Sequence, residues 1–304
     1  MYQIGEVIKR TRESLGMTQE TLSDGICSVE TLSRIENGKH VPSRSNFQAL
    51  MERMGKCGER YLPFIRSDDM ELLEEWRDIE RTYLKRKYQE VEVMLDMFEH
   101  RIDVKNPINF QQIIRMRAIN DYERGKINER EKRKKLFDAL RCTMPNCKER
   151  DFAFNTLSRC EIRILCNIGA SYAEEGDLEQ AIVLFRKLEQ YFSNTVIDRT
   201  ERNISEIMLI SNLSQTLGRN GDTKEALEMG ERGIERCLQA GEGTVLALFL
   251  YNVGFEMELL QMEEEYCKER LLQAYYIAEL NENKKQMDHI AKHWKKQYGY
   301  PIDD

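Results

Sequence analysis

The sequence predicts an all-α protein with a small N-terminal helical domain and a longer C-terminal array of helical repeats. Five prolines, 33% charged residues and a mean hydropathy of −0.63 are typical of a water-soluble chain dominated by helices. Apolar residues recur at helical spacing from the N-terminus onward. An Asn followed nine residues later by Gly-Asp and then by Ala occurs at 167–185 and again at 212–230. With 304 residues, the chain is long enough for two domains that each bury a core.

The first predicted helix covers residues 4 to 15. Its apolar residues fall on one face and its basic residues on the opposite face, as expected of a helix packed against a small core. The apolar residues are Ile4, Val7, Ile8 and Leu15, and the basic ones are Lys9, Arg10 and Arg12.

Residues 17–43 predict two short helices separated by a tight turn. Thr18 is placed to cap the first of them, Asp24-Gly25 breaks it, and Ser28 caps the second. Gly38 ends the second helix, and Pro42-Ser43 opens a third one, on which Phe47, Leu50, Met51 and Met54 form an apolar stripe. On the second helix, Leu32 and Ile35 point inward, whereas Val29, Glu30, Thr31, Ser33 and Arg34 point outward.

This stretch resembles the helix-turn-helix of the lambda-repressor-like XRE family. Members of that family share Thr-Gln at the start of the first helix and a Ser-x-Ile-Glu-x-Gly tail on the recognition helix, and this chain has both as Thr18-Gln19 and residues 33–38. The turn between the two helices is one residue shorter than is usual in that family. Its sequence, Gly-Ile-Cys-Ser at residues 25–28, is similar to that of the Gram-positive peptide-pheromone receptors called RRNPP. The alternative is a small helical bundle that serves only for docking.

The position of each polar residue predicts its contact with DNA. Thr18 and Gln19, at a helix N-terminus, are expected to bind a phosphate, and Lys39 and Ser43 to hold the other strand. Arg34 is the natural bidentate partner of guanine, and Glu30 can accept from cytosine N4. For each residue, exposure without a base contact is the alternative. The residues predicted to face base edges are Ser28, Glu30, Thr31 and Arg34.

The C-terminal pattern resembles the tetratricopeptide repeat. A third copy keeps Asn252 and Gly254, so the asparagines lie 45 and 40 residues apart, longer than the ~34 residues of an ordinary repeat. We expect about five repeats that form a right-handed solenoid with a concave groove, closed by a capping helix around residues 287–298. Two weaker copies come first, on Trp76, Ile79, Tyr83, Leu95 and Phe98, and on Met116, Tyr122, Leu136 and Leu140.

The resemblance implies that the groove binds a short signalling peptide. Asparagine amides both donate and accept, so a row of them can pair with the main chain of an extended peptide; the alternative is that they join neighbouring helices. Arginines in the earlier part of the groove are expected to take the carboxylate of the peptide, above an aromatic floor. The predicted peptide-binding residues are Arg117, Asn120, Arg163, Asn167, Asn212, Tyr251, Asn252 and Phe255.

The charge divides unevenly between the two predicted domains. Residues 1–66 carry ten Lys and Arg against eight Asp and Glu, a balance of +2, whereas the remainder carries 36 against 45. Since the acidic part should be repelled by phosphates, we expect only the N-terminal domain to contact DNA. We place the boundary near residue 67, giving domains 1–66 and 67–304, with residues 61–65 as an apolar element that closes the first.

Composition also restricts the class of protein. No apolar run approaches the ~20 residues of a membrane span and no signal peptide is present, which predicts a cytoplasmic protein without membrane contact. The eight cysteines are expected to be thiols, and neither a metal site nor another cofactor is predicted, His289 and His293 being assigned to the last helix. Without a nucleophile and base pair or a phosphate loop, the chain is not expected to be an enzyme.

The sequence therefore predicts a DNA-binding transcription regulator that reads a palindromic operator as a homodimer and responds to a short peptide in quorum sensing. Two alternatives stay open. In one, the repeats only hold the dimer together or bind a protein partner. In the other, the chain is an adaptor that sequesters a signalling protein and carries a vestigial DNA domain.

Overall fold

The computed structural model describes residues 4–56, 67–102, 104–152, 157–194 and 199–302. In these ranges the chain forms fifteen helices and no strand beyond one isolated bridge between Lys148 and Asp151, which confirms the all-α prediction. No helix among these residues combines the length and the apolarity needed to cross a membrane. The predicted apolar element at 61–65 lies outside the described residues.

Within the described ranges, four helices form the N-terminal part and eleven more follow along the chain. The count of about five repeats and a capping helix stays a prediction. The first four are α1 (Ile4–Ser14), α2 (Gln19–Ser23), α3 (Val29–Glu36) and α4 (Arg44–Arg53). The helices that follow are α5 (Ser67–Leu84), α6 (Tyr88–Glu99), α7 (Pro107–Glu123), α8 (Glu129–Arg141), α9 (Arg159–Glu174), α10 (Leu178–Asn194), α11 (Arg199–Asn220), α12 (Thr223–Ala240), α13 (Leu246–Leu259), α14 (Glu264–Leu280) and α15 (Lys284–Tyr298).

The helices form two compact units. The first consists of Met1–Glu175 with Tyr191–Glu201, and the second of Gly176–Gln190 with Arg202–Asp304. The first unit thus contains the N-terminal helices together with α5 to α9. The boundary near residue 67 stays a prediction.

The N-terminal helices have the predicted caps and core. The side chains of Thr18, Ser28 and Ser43 each accept a hydrogen bond from a backbone N–H in the first turn of α2, α3 and α4, respectively. Gly25, with a φ of 66°, allows the tight turn between α2 and α3. The buried core confirms the predicted apolar faces and comprises Ile8, Leu22, Ile26, Leu32, Ile35, Phe47, Leu50, Met51 and Met54.

The prediction that Arg12 lies opposite the buried face of α1 is wrong. Arg12 is buried because both ends of its guanidinium bind Glu36 of α3, with Nε at 2.6 Å and Nη2 at 2.9 Å from the two carboxylate oxygens. This hydrogen-bonded pair raises the pKa of Arg12. Leu15, which follows α1, is 38% exposed instead of contributing to the core.

In the second unit, glycines allow neighbouring helices to come close. A Cβ atom at Gly230 of α12 would lie 2.7 Å from Val253 of α13, and one at Gly233 would lie 2.2 Å from the ring of Phe249. These contacts, which only a residue without a side chain permits, fix α12 against α13 and thereby position the face of α13 that carries Asn252.

Candidate DNA and peptide interfaces

The outer face of α3 is open to solvent, as predicted. Ser28, Glu30 and Arg34 are exposed and Thr31 is half-buried, whereas Leu32 and Ile35 are fully buried beneath them. Ser28 Oγ caps α3 by accepting from Thr31 N at 3.1 Å, and it shares a second hydrogen bond with Thr31 Oγ1 at 2.8 Å. The face therefore presents an acceptor, a cation and hydroxyl groups at successive turns of one helix.

The buried pair of Arg12 and Glu36 holds the orientation of α3. Gln19 joins this pair through a bond from its Nε2 to Glu36 Oε2 at 2.7 Å, so that α1, α2 and α3 meet at one carboxylate. Since the Gln19 side chain is used in this way, its predicted phosphate contact depends on its backbone N–H at the start of α2. Thr18 is exposed beside it.

Lys39 and Ser43 flank the other end of α3. Lys39 is exposed, and its backbone N–H donates to the Arg34 carbonyl at 2.8 Å, which closes the C-terminal end of the helix. Ser43 is exposed and caps α4 by accepting from Asn46 N at 3.2 Å. Both residues therefore remain available to a phosphate in the predicted manner.

The opposite side of the helix-turn-helix packs against α7, α8 and α9 of the same unit. A Cβ atom at Gly25 would lie 1.9 Å from the carbonyl oxygen of Thr143, which follows α8. Ile108 of α7 joins the helix-turn-helix core, and Asn106 Nδ2 donates to Asn46 Oδ1 at 2.9 Å. This interface is not predicted by the sequence patterns, and it leaves the outer face of α3 uncovered.

A buried polar network runs through this interface, centred on Glu161 in the first turn of α9. Its carboxylate accepts from Thr143 Oγ1 at 2.6 Å, from Ser158 N at 2.6 Å and from Arg53 Nη2 of α4 at 3.3 Å. The Nη1 of Arg53 also donates to the Asp24 carbonyl at the end of α2. The N-terminus of α9 is thus bonded to Arg53 of α4, which in turn is bonded to the end of α2.

At Arg163, two residues further along α9, two arginines share one carboxylate. Arg163 and Arg115 of α7 both contact Glu80 of α5, the latter at 3.5 Å, and Arg115 Nη1 also donates to Asn167 at 3.4 Å. Arg115 is 93% buried, given its 7% exposure, and its Nε has no hydrogen-bond partner. Arg115, Arg163 and Glu80 are here called the Arg115 cluster. Because two guanidiniums contact one carboxylate, this cluster carries an excess of positive charge.

The pKa values within the Arg115 cluster reflect that excess. Burial raises the pKa of Glu80, but the charges of the nearby arginines, led by Arg163, outweigh it, so the pKa lies below its usual value. Burial lowers the pKa of Arg163, and the like charge of Arg115 lowers it further. A second carboxylate would therefore relieve both the repulsion and the unmet hydrogen-bonding capacity.

The other two residues predicted beside Arg163 lie elsewhere on α7. Arg117 pairs with Asp96 at 2.7 Å and with Glu99 at 2.6 Å, both on α6. Asn120 is buried and its Nδ2 donates to the Tyr88 carbonyl at 3.1 Å. Residues two apart on a helix point in different directions, so Arg115, which the sequence analysis did not select, occupies the position expected of Arg117.

The three predicted asparagines are divided between the two units. Asn167, in the first unit, accepts from Arg115 and is half-buried. In the second unit, Asn212 of α11 is half-buried, and Asn252 of α13 has a buried Nδ2 without a hydrogen-bond partner. Their pairing with a peptide main chain stays a prediction.

Tyr251 and Phe255, the predicted aromatic floor, stack at 6.4 Å between ring centroids. His289 and His293 of α15 contact the Tyr251 ring edge-on at 5.0 and 5.6 Å, and His293 bonds to Glu258 at 2.8 Å. Burial raises the pKa of the Tyr251 hydroxyl. Phe255 is 36% exposed, so the cluster reaches the surface through this ring.

The helix-turn-helix with an open α3, joined to an array of helix pairs, defines a transcription regulator with a sensory repeat domain. Residues 77–300 match the family described as "RNPP family C-terminal domain", and residues 8–62 match "Helix-turn-helix". The chain therefore belongs to the RNPP family of peptide-pheromone receptors and is not an enzyme.

Solved structures share the fold. PlcR of Bacillus thuringiensis, in complex with the peptide PapR7 and DNA, is 18% identical with a TM-score of 0.65, over 95% of this chain and 99% of that one. ComR of S. thermophilus, in complex with DNA and its signalling peptide ComS, is 17% identical with a TM-score of 0.52, over 98% and 100%. The apo form of ComR of Streptococcus vestibularis is 15% identical with a TM-score of 0.54, over 97% of each chain. No curated protein sequence matches the chain.

Proposed function

We propose that the chain acts in the cytoplasm as a homodimer that reads a palindromic operator with α3. The observation that carries this proposal is the open outer face of α3, which presents Arg34 and Glu30 while its inner face is fixed by the pair of Arg12 and Glu36. A domain with a charge balance near +2 makes few phosphate contacts, so two copies are needed for tight binding. The presence of DNA in the PlcR and ComR complexes supports the proposal.

The peptide-sensing part of the proposal rests on the Arg115 cluster. The ligand contributes an acidic group, its terminal carboxylate or an acidic side chain, that binds Arg163 and Arg115 in place of, or beside, Glu80. The side chains of Arg163 and Glu80 are 25% and 23% exposed, so an anion can reach them from solvent. Asn167, one turn beyond Arg163, then offers its amide to the peptide main chain. The peptides in the PlcR and ComR complexes support a ligand of this kind.

Helix α9 couples the two functions. Glu161, two residues before Arg163, is bonded to Arg53 of the helix-turn-helix, so both sites use adjacent turns of one helix. If α9 has two positions, each with its own arrangement of the helix-turn-helix, a ligand that binds one of them more tightly shifts the equilibrium towards it. The free energy of this shift equals the difference between the binding free energies of the ligand for the two arrangements. The peptide thereby controls how two DNA-reading domains fit two half-sites.

A selection from genomic fragments tests the DNA-binding part. The purified chain is incubated with sheared genomic DNA, retained fragments are sequenced, and the enriched sequence is footprinted. We expect two symmetric half-sites about 34–36 Å apart or at a multiple of this spacing. Lys9→Ala, at an exposed site on α1, is the control for Arg34→Ala. If DNA is retained without any enriched sequence, or if a monomer binds one unpaired half-site, the proposal is contradicted. Either result favours the alternative of an adaptor that sequesters a signalling protein.

A further inference from the structure

Val29, in the first turn of α3, is an apolar side chain on the face that is proposed to read DNA. It is 37% exposed, and among the side chains of α1 to α4 that the structure describes, no other large apolar one is as exposed. Val29 is therefore a single apolar group within a polar face. The polar and charged residues that share the outer face with it are Ser28, Glu30, Thr31, Ser33 and Arg34.

Neither packing nor helix propensity accounts for a valine at this position. The core of the helix-turn-helix takes Leu32 and Ile35 from α3, and Val29 is not a member of this cluster among the described residues. Valine is also a weaker helix former than Gln, Glu, Lys or Arg, because its branched Cβ loses rotamer freedom. Scattered surface valines are common, but this one lies on the surface that loses water when a recognition helix enters the major groove. An apolar group contributes to binding there when the DNA offers it an apolar partner.

The position of Val29 relative to the two charged residues of α3 follows from helix geometry. Residues four apart lie on the same side of a helix, so Glu30 and Arg34 form one row. Val29 and Ser33 form the row beside it. The side chain of Ser28 caps the start of α3, and the branched Cβ restricts the χ1 angle of Val29. The two methyl groups of Val29 are therefore held in a defined position beside the residues that are expected to reach base edges.

We propose that Val29 determines specificity by contacting the C5 methyl group of a thymine in the major groove of the operator. Thymine is the base of ordinary DNA whose major-groove edge carries a methyl group, and apolar side chains are the usual partners of this group. The contact removes two apolar surfaces from water, whereas a cytosine at the same position places a polar amino group against the valine. Val29 thus adds an A·T base pair to the readout, whereas Glu30 and Arg34 are both suited to G·C pairs.

This inference rests on the proposed reading of an operator by α3 and adds one base position to it. The probe is the enriched operator in which one thymidine at a time, in both half-sites together, is replaced by 2′-deoxyuridine, which lacks only the methyl group. Fluorescence anisotropy measures the affinity of the full-length chain for each substituted operator. The proteins are the wild type, Val29→Ala and, as a matched control, Val183→Ala, which truncates an exposed valine of α10.

We expect the wild type to lose roughly four-fold in affinity per half-site at one thymidine position, the value of one buried methyl or methylene group. Val29→Ala should bind the unsubstituted operator with a similar loss. The same deoxyuridine substitution should then cost this variant little more, because the methyl group has already lost its partner. Its affinity for scrambled DNA should not change, since non-specific binding depends on phosphate contacts. Val183→Ala should respond to every substitution as the wild type does.

Melting temperatures and the pattern of affinity losses identify the outcomes that overturn the inference. Val29→Ala should melt like the wild type, because the replaced side chain lies outside the core. A lower melting temperature with equal losses on operator and scrambled DNA would make Val29 a structural residue. If the wild type tolerates deoxyuridine at every position, or if Val29→Ala loses as much on substitution as the wild type, the inference is also overturned while DNA reading stands. If no sequence is enriched, the proposed DNA reading fails together with it.

Discussion

The buried Glu161 network gives a sharp prediction about how the helix-turn-helix is attached. Replacing Glu161 by Ala removes the acceptor of three hydrogen bonds, from Thr143 Oγ1, Ser158 N and Arg53 Nη2. The side chains of Arg53 and Glu161 are only 4% and 1% exposed, so the arginine is left as an uncompensated buried charge. We expect the first unit to lose about 3–5 kcal/mol of unfolding free energy.

The geometry decides where in this range the value falls. The separation of 3.3 Å between Arg53 Nη2 and Glu161 Oε1 is long for a charged hydrogen bond, which places the ion pair at the lower end of the range. The two neutral donors at 2.6 Å each add about 1 kcal/mol. Arg53→Ala should cost less than Glu161→Ala, because the Glu161 carboxylate keeps both neutral donors.

Tryptophan fluorescence during urea unfolding measures this loss in the first unit alone. The chain has two tryptophans, Trp76 in the first unit and Trp294 in the second, so a Trp294→Phe background makes Trp76 the reporter. A double-mutant cycle between Arg53→Ala and Glu161→Ala should give a coupling energy of about 1–3 kcal/mol. Asp138→Ala, which removes an exposed ion pair, is the control and should cost less than about 1 kcal/mol.

Either of two results would refute this reasoning. A loss below about 1 kcal/mol for Glu161→Ala would show that the carboxylate is solvated in solution and does not hold the Arg53 charge. Single losses that add within about 0.5 kcal/mol would show that the two residues act independently.

Three further predictions concern DNA reading, the turn and pH. Arg34→Ala should lower operator affinity by ~1–3 kcal/mol and leave affinity for scrambled DNA unchanged in gel shifts, and equal discrimination by wild type and variant would contradict the role of Arg34. Gly25→Ala places a Cβ atom against the Thr143 carbonyl at a residue whose φ is 66°, so it should lower the unfolding free energy of the first unit by at least about 1–2 kcal/mol. A urea midpoint equal to that of the wild type would contradict this prediction. Glu256 has a raised pKa, so the folded chain binds its proton more tightly than the unfolded chain does, and this contribution to stability is lost as pH rises through the folded pKa. Glu256→Gln should therefore melt higher than the wild type at high pH, with a difference that shrinks as the pH falls towards the ordinary pKa of a glutamate carboxyl. A difference independent of pH would contradict the burial of this carboxyl.

The local structure of the DNA-reading element could be predicted from the sequence because it is set by neighbours along the chain. Thr18, Ser28 and Ser43 cap their helices through bonds to residues three positions away, and the apolar periodicity identifies the buried side of each helix. The repeats were visible for the same reason, since each helix pair carries its own spaced pattern.

Contacts between residues far apart in the chain could not be predicted in this way. The pattern of α1 predicts an exposed cation at Arg12, because its partner Glu36 lies 24 residues later in the chain and on another helix. The choice of Arg117 over Arg115 failed to anticipate the Arg115 cluster because periodicity does not tell which neighbouring helix each side of α7 meets. The sequence did hold one unused signal, an acidic residue within the apolar run of α13, at Glu256.

A peptide bound to the repeats is proposed to change how the helix-turn-helix binds its operator. The most direct measurement is fluorescence anisotropy of the enriched operator, titrated with the wild-type chain in the presence and absence of those hexapeptides from a random synthetic library that co-elute with the chain in gel filtration. We predict a change in operator affinity of roughly 5-fold or more, the smallest coupling that an allosteric regulator typically shows. Identical affinities, measured where the peptide is shown to be bound, would contradict the account.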